Sequence, residues 1–341
     1  MSILNSLKKS NLVKACTFEE KPVKFISTGC YTLNILFSGE LFGGIQIGRM
    51  SSIVAPPSLG KSFVGLKVAK NAQQQHDMEV LYFDTEIAYD QKFAKNIGVD
   101  IDRMLVIQNN QIEDVQQIVS STIKDLTKEE RNKLLIIIDS WGGLVTSKTI
   151  ADAIDGKDVT DMTIAKKKNS LARILNGLGA TCFVVNQTYD SMNMYEPLAI
   201  GGGKGLLFCC SAVVMGSSKA KSKDGDEING AVITAVNKKG RLAVENSRLK
   251  YLIRFEGGIH QYYGLLEDAL DGEFVTKPSM GWYTRPFIEN DKKWREKEVW
   301  ENAKEFWTPI FEQTDFPTYI EKKYSFKHNS IFSDITKTGE E

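Results

Sequence analysis

Ile53-Val-Ala-Pro-Pro-Ser-Leu-Gly-Lys-Ser62 is a short apolar strand running into a turn that closes on Gly-Lys-Ser, and its reading governs the rest of the chain. The ending matches the second half of a phosphate-binding loop, G-x-x-x-x-G-K-[ST]. A triphosphate is gripped by backbone N–H groups of a tight loop and by the positive end of the following helix. The cradle would span Pro57, Ser58, Leu59, Gly60, Lys61, Ser62 and Phe63, with Lys61 reaching the β- and γ-phosphates and Ser62 offering its hydroxyl to Mg2+. Ala55 stands where the pattern has its first glycine, and Pro56 and Pro57 follow. Two prolines remove two donors and stiffen the entry, so the loop is either a pre-set cradle or a damaged one.

Downstream segments supply what such a loop needs. Val80 to Phe83 is an apolar run read as a buried strand, and it ends in Asp84-Thr85-Glu86. Ligands of open α/β sheets bind at the carboxyl ends of strands, which makes Glu86 a candidate general base for an attacking water. Leu134 to Asp139, LLIIID, is a second such strand, and Asp139 is placed to hold a Mg2+ shell. A third, Cys182 to Val185, ends in Asn186-Gln187. Phosphate loop first and apolar strand ending in Asp later is the order that a P-loop nucleoside triphosphatase requires.

Between these lie less regular stretches. Residues 146–163 turn polar, and the helix that follows carries Lys166, Lys167, Lys168 and Arg173. Residues 188–205 contain Gly201, Gly202 and Gly203 and are expected to form a mobile loop. Strands at 211–216 and 231–236 flank a polar hairpin-like turn, and Lys238, Lys239 and Arg241 follow the second of them. From residue 262 the composition shifts, with four of the five Trp between Trp282 and Trp307; this is expected to be a small lobe with its own aromatic core, Trp300, Ala303 and Trp307 sharing a helical face. Residues 1–17 fit a short amphipathic helix.

Composition narrows the class. The 341 residues are 42% apolar and 25% charged with zero formal net charge, so any nucleic-acid site must be a local patch. No apolar run approaches the roughly 18 residues that cross a bilayer, and the first residues carry no secretory core, so the expected location is the cytoplasm. Five cysteines without C-x-x-C spacing and three scattered histidines argue against a disulfide framework or a zinc site.

The runs FISTGCYTLNILFSGELFGGIQIGRMSSIVAPPSLGKS, VLYFDTEIAYDQKFAKNIGVDIDRMLV, LLIIIDS and VVNQ followed by GGGKG resemble, in order and spacing, the core of the RecA recombinase family. FSGELFGG, VTDMTIAK, AIGGGKG and GWYTRPF make it most similar to the UvsX-type recombinases of tailed bacteriophages, over about residues 23–310. The resemblance implies an α/β fold: a RecA-like P-loop core with a mostly parallel sheet at 23–261, a polymerising N-terminal helix and linker at 1–22, and a small C-terminal domain at 262–341. It puts Glu86 on the catalytic glutamate, Lys61 and Ser62 on the phosphate and Mg2+ contacts, Asp139 on the metal carboxylate, and Asp90 and Phe93 near the adenine. Gln187 falls on the glutamine that senses the γ-phosphate. DNA-binding loops are implied at 147–162, leading into Lys166, Lys167 and Arg173, and at 188–205, with Met192, Met194 and Tyr195 as apolar wedges and Gly201, Gly202, Gly203 and Lys204 on phosphates. Lys238, Lys239 and Arg241 fall where cations reach the ATP of an adjacent subunit.

The implied protein is an ATP- and Mg2+-dependent recombinase. It forms a helical homo-oligomer on single-stranded DNA with ATP at subunit interfaces, pairs it with a homologous duplex and exchanges strands. Further partners would be a mediator protein and a single-strand-binding protein, and none is a membrane. Two alternatives compete: a nucleotide-binding mediator or DNA-coating scaffold with little hydrolysis, motivated by Ala55, Pro56 and Pro57, and a RecA-fold helicase.

Overall fold

Leu134–Asp139 is apolar without alternation because both faces of the strand are covered: Leu135 and Ile137 enter one buried cluster, Ile136 and Ile138 another. Phe183 and Val185 against Cys182 and Val184 repeat the division. The computed structural model describes residues 22–157, 161–190, 198–201, 204–224 and 227–326. The expected N-terminal helix lies outside them, as do Met192, Met194, Tyr195, Gly202 and Gly203.

In chain order the core is built from β1 (Phe25–Ile26), α1 (Tyr31–Ser38), β2 (Ile45–Gln46), β3 (Met50–Ala55), α2 (Lys61–His76), β4 (Glu79–Asp84), α3 (Gln91–Ile97), β5 (Met104–Ile107), α4 (Ile112–Lys124), α5 (Lys128–Arg131) and β6 (Leu134–Asp139). It continues through α6 (Ser147–Ile154), α7 (Ile164–Gly177), β7 (Thr181–Asp190), β8 (Leu198–Ile200), α8 (Lys204–Cys209), β9 (Ala212–Asp224), β10 (Glu227–Gly240), β11 (Arg248–Arg254) and β12 (Gly258–Ile259). Ten strands form one sheet in the order β12-β11-β10-β9-β3-β7-β6-β4-β5, with β8 beside β7. From β9 through β5 the neighbours are parallel, whereas β10, β11, β12 and β8 are added antiparallel. Residues of α1 and α2 cover one face, and Val115 and Val119 of α4 with Leu171 and Leu175 of α7 cover the other.

The last segment is α9 (Leu266–Asp271), a three-stranded sheet of β13 (Thr276–Ser279), β14 (Trp282–Thr284) and β15 (Trp294–Arg295), then α10 (Glu296–Glu301), α11 (Ala303–Gln313) and α12 (Phe316–Tyr324). Its aromatics do not form the separate core that composition led one to expect. Trp294, Phe306, Trp307 and Phe316 belong to the same buried cluster as α1 and α2. Tyr31 of α1 bridges the two, its ring edge-on to Tyr262 and Phe311 with centroids 5.1 and 5.2 Å away. Trp300 and Trp307 lie on different helices, because the chain breaks at Asn302; their rings still stack at 6.5 Å.

Three more expectations need correction. Residues 147–162 are not simply a loop: Thr146 caps α6 by accepting from the Thr149 N–H, and buried Asp161 accepts from Thr146 and Thr163 hydroxyls, tying the two ends of the segment together. Residues 188–205 are ordered at both ends, since Thr188–Asp190 pair with Leu198–Ile200 and α8 starts at Lys204. The polar stretch after residue 216 is a long two-stranded ribbon, β9 running to Asp224 and β10 starting at Glu227, because ladder pairing satisfies its backbone.

Arg285 anchors the C-terminal segment. Its guanidinium binds Asp291 through Nε and Nη2 at 3.0 and 2.7 Å, donates through Nη1 to the Glu305 and Phe306 carbonyls, and lies over the Trp294 and Phe306 rings. Both residues are buried. Arg285→Ala should therefore cost about 3–5 kcal/mol by leaving Asp291 uncompensated, and Arg285→Met with Asp291→Asn considerably less; denaturant titration of the full chain measures both.

Candidate active site

Register places the candidate groups. Ala55 at the end of β3 pairs with Gln187 of β7, and Asp139 at the end of β6 pairs with Asp84 of β4 and Val185 of β7. The ends of β3, β7, β6 and β4 therefore open on one edge, where the helix dipole of α2 points. The turn between β3 and α2 takes its left-handed backbone at Ser58 (φ 61) and Gly60 (φ 70). Ala55 remains in the strand, and Gly216 on the adjoining β9 accommodates it: a Cβ there would lie 3.0 Å from the Ala55 Cβ. The turn thus keeps its shape with alanine at position 55. Lys61 Nζ donates to the Pro56 carbonyl at 2.8 Å, closing the loop on itself. Burial pulls the Lys61 ammonium below its ordinary pKa against the opposing pull of Asp139 and Glu86.

Asp139 is short of positive charge. Burial pushes its carboxyl pKa above the ordinary range, Glu86 and Asp84 add to the rise, and hydrogen bonds from Ser62 and from Tyr82 Oη at 2.7 Å only partly offset it. A hydroxyl and a carboxylate in mutual reach beside two further carboxylates are a hard-oxygen set that suits Mg2+. Among the described residues no group of three or more His, Cys, Asp or Glu could hold a metal alone, so such a cation would share its shell with substrate oxygens and water. Asp84 is engaged elsewhere, its carboxylate accepting from the Ala88 and Tyr89 N–H groups and from Gln108 Nε2.

Glu86 is exposed at the mouth of the edge and held from two sides, accepting from Ser140 Oγ at 2.5 Å and Gln187 Nε2 at 2.7 Å. Gln187 leads into the segment that returns at Gly201, whose N–H donates to the Gln187 carbonyl and whose own carbonyl accepts from Asn186 Nδ2.

Beside the loop is a cleft of about 650 Å3 lined by Ser58, Phe63, Phe93, Lys219, Ile253 and Gly258. The Phe63 and Phe93 rings lie 5.8 Å apart along one wall, apolar surface on which a base could rest. Asp90 does not line it; this carboxylate caps α3 by accepting from the Lys92 and Phe93 N–H groups, and so acts on the cleft through Phe93. A Cβ on Gly258 would fall 2.0 Å from Phe63 Cζ, so glycine keeps that ring in place. The opposite wall, from β10, β11 and the Gly257-Gly258 turn, was not foreseen from the sequence, where the glycine pair after a strand is its only local signal.

The candidate cations divide. Lys166 and Arg173 are exposed on α7, whereas Lys167 is paired with Glu113 of α4. Lys239 Nζ donates to the Leu207 and Phe208 carbonyls at 2.7 and 2.9 Å, so it caps the end of α8 rather than projecting outward. Arg241 is exposed close by, and both cations, with Arg173, act on the Cys209 thiol, whose pKa burial nonetheless raises. Lys238 lies on β10 and Lys204 opens α8. Lys168, one of the cations on the helix read from sequence, is buried, its Nζ donating to the Trp141 and Gly142 carbonyls, and Ser140 joins this region without having been given a role from sequence.

The raised carboxyl of Asp139 has a signed consequence. A folded-state pKa above the unfolded one gives stability that is complete below the ordinary carboxylate range and lost as pH rises through the raised value. Metal-free Asp139→Asn should therefore melt at or above the wild-type temperature at pH 7, with the gain shrinking as pH falls through the carboxylate range. Mg2+-dependent ATP hydrolysis should fall by about two to three orders of magnitude in the same variant. Thermal melts and phosphate release measure the two arms.

Residues 2–260 match the family model described as RecA N-terminal domain, and residues 262–320 that described as the C-terminal domain of the bacteriophage T4 recombination and repair protein. The recombination and repair protein of Enterobacteria phage T4 is 33% identical, over 93% of this chain and 85% of its own length. Protein RecA of Nocardia farcinica is 29% identical over 93% and 86%, and that of Mycolicibacterium smegmatis 28% over 90% and 84%. With a phosphate loop on β3, carboxylates at the ends of β6 and β4, and a glutamine at the end of β7, the chain belongs to the RecA family.

Proposed function

We propose that the protein is a DNA-dependent ATPase and recombinase of the cytoplasm, which assembles on single-stranded DNA and exchanges it with a homologous duplex in recombination, repair and recombination-dependent replication. The observation that carries this reading is the Gln187 to Glu86 hydrogen bond of 2.7 Å. It joins the candidate base to the strand that runs into residues 188–205, the stretch that holds Gly201, Gly202, Gly203 and Lys204. In this arrangement Gln187 engages Glu86. A γ-phosphate oxygen would compete for the Gln187 amide, and Glu86 could then take a proton from water as its oxygen attacks the γ-phosphorus and the bond to the β-phosphate oxygen breaks. A change in residues 188–205 would thereby alter hydrolysis, and a nucleotide would alter those residues.

Within this reading Lys61 binds phosphate, Ser62 and Asp139 would hold Mg2+, which neutralises phosphate charge, and Phe63 and Phe93 seat the base. Arg241 and the neighbouring Lys238 and Lys239 would complete the site of an adjacent copy, and Lys166, Arg173 and Lys204 would draw in DNA phosphates. The division at 22/23 and 261/262 accords with the same reading, as do a filament with ATP between subunits and single-strand-binding and mediator partners.

ATP hydrolysis should rise steeply with single-stranded DNA, and log affinity for that DNA should fall linearly with log salt. Glu86→Gln should lower turnover by about 10^2-fold or more while preserving ATP-dependent filaments in electron micrographs. Full hydrolysis without DNA, or no filaments with a non-hydrolysable analogue, would exclude the proposal, and unwinding of a tailed duplex would favour a helicase.

A further inference from the structure

Lys168 is buried on α7, and its ammonium has two carbonyls for partners and, among the described residues, no carboxylate. Burial alone lowers its pKa to about 8. A charged group so placed is costly, and an apolar side chain of the same length would pack there without that cost. The carbonyls it holds are those of Trp141 and Gly142, at 2.9 and 3.2 Å. They belong to the turn after β6 that begins with Ser140, the residue whose hydroxyl reaches Glu86. The Gly143 N–H donates back to Ser140 Oγ, and the Trp141 N–H donates to the Val185 carbonyl, so the turn is tied both within itself and to β7.

Helix α7 also lies against α8, the helix at the far end of residues 188–205. Asn169, next to Lys168, touches Gly205 of α8 so closely that a Cβ on Gly205 would fall 2.0 Å from its Oδ1 and 3.0 Å from its Cα. The other end of α7 continues from the segment tied by Asp161. Among the described residues, Trp141 Nε1 on the turn, Asn169 Oδ1 on α7 and Thr188 Oγ1 on β7 are buried without a protein partner.

We propose that Lys168 is a positioning residue for Glu86, fixing the Ser140–Gly143 turn so that the placement of α7 sets the placement of the candidate base. This rests on the ATPase reading above and adds to it a route by which the elements flanking residues 147–162 and 188–205 reach the carboxylate.

The test compares ATP hydrolysis by the full chain, Lys168→Met and Lys168→Arg, with and without saturating single-stranded DNA. For Lys168→Met the DNA-stimulated kcat should fall about 10-fold or more while KM for ATP changes less than about twofold, and Lys168→Arg, able to reach the same carbonyls, should recover most of the rate. Wild-type stimulated kcat in Lys168→Met overturns the role, as does a lost rate that arginine fails to restore or a KM that rises in step with the fall in kcat. If Lys168→Met does not fold, Lys168→Gln takes its place in the same comparison. A wild type that lacks DNA stimulation sinks the recombinase reading, and the positioning role is then judged on basal kcat in the same variants.

Discussion

Parallel register is the constraint on which the site depends. Pairing Ala55 with Gln187 and Asp139 with Asp84 leaves no freedom in which groups share the open edge. Strands β6 and β7 are apolar on both faces, so a slip by one residue in β6 would exchange the contents of two filled clusters. Precision at the edge is therefore bought in the core, by side chains that never meet a ligand. The polar groups need only be the first residues beyond the apolar run.

The charged groups of the edge already have partners. Asp139 accepts from the Ser62 and Tyr82 hydroxyls, Lys61 turns back onto Pro56, and Glu86 is occupied by Gln187 and Ser140. Each group is held by a replaceable partner that resembles what a nucleotide with its metal would supply: a carbonyl oxygen for a phosphate oxygen, a hydroxyl proton for a cation. Binding would then exchange interactions instead of creating them from solvated side chains, keeping the reorganisation small.

Much of this was legible in sequence because it depends on runs of neighbouring residues. LLIIID and VLYFD announce buried strands ending in acid, and Gly60-Lys61-Ser62 announces a phosphate loop. The missing parts depend on distant partners. Residues 147–154 are helical through a threonine cap and an aspartate beyond the helix, and the base cleft needs Gly258 to make room for Phe63. Lys167 and Lys239 look like free cations until Glu113 and the α8 carbonyls are brought beside them. Aromatic composition suggested a C-terminal lobe with a core of its own and could not show that Tyr31 joins those rings to the main cluster.

Ala55 carries a wider lesson. A Cβ at 216 would meet its methyl group at 3.0 Å, so the two positions crowd one another across neighbouring strands. A side chain at 216 would press on Ala55 and be relieved by glycine there. Substitution at either position is thus conditional on the other, and a phosphate-loop pattern read along one segment measures half of a two-strand property.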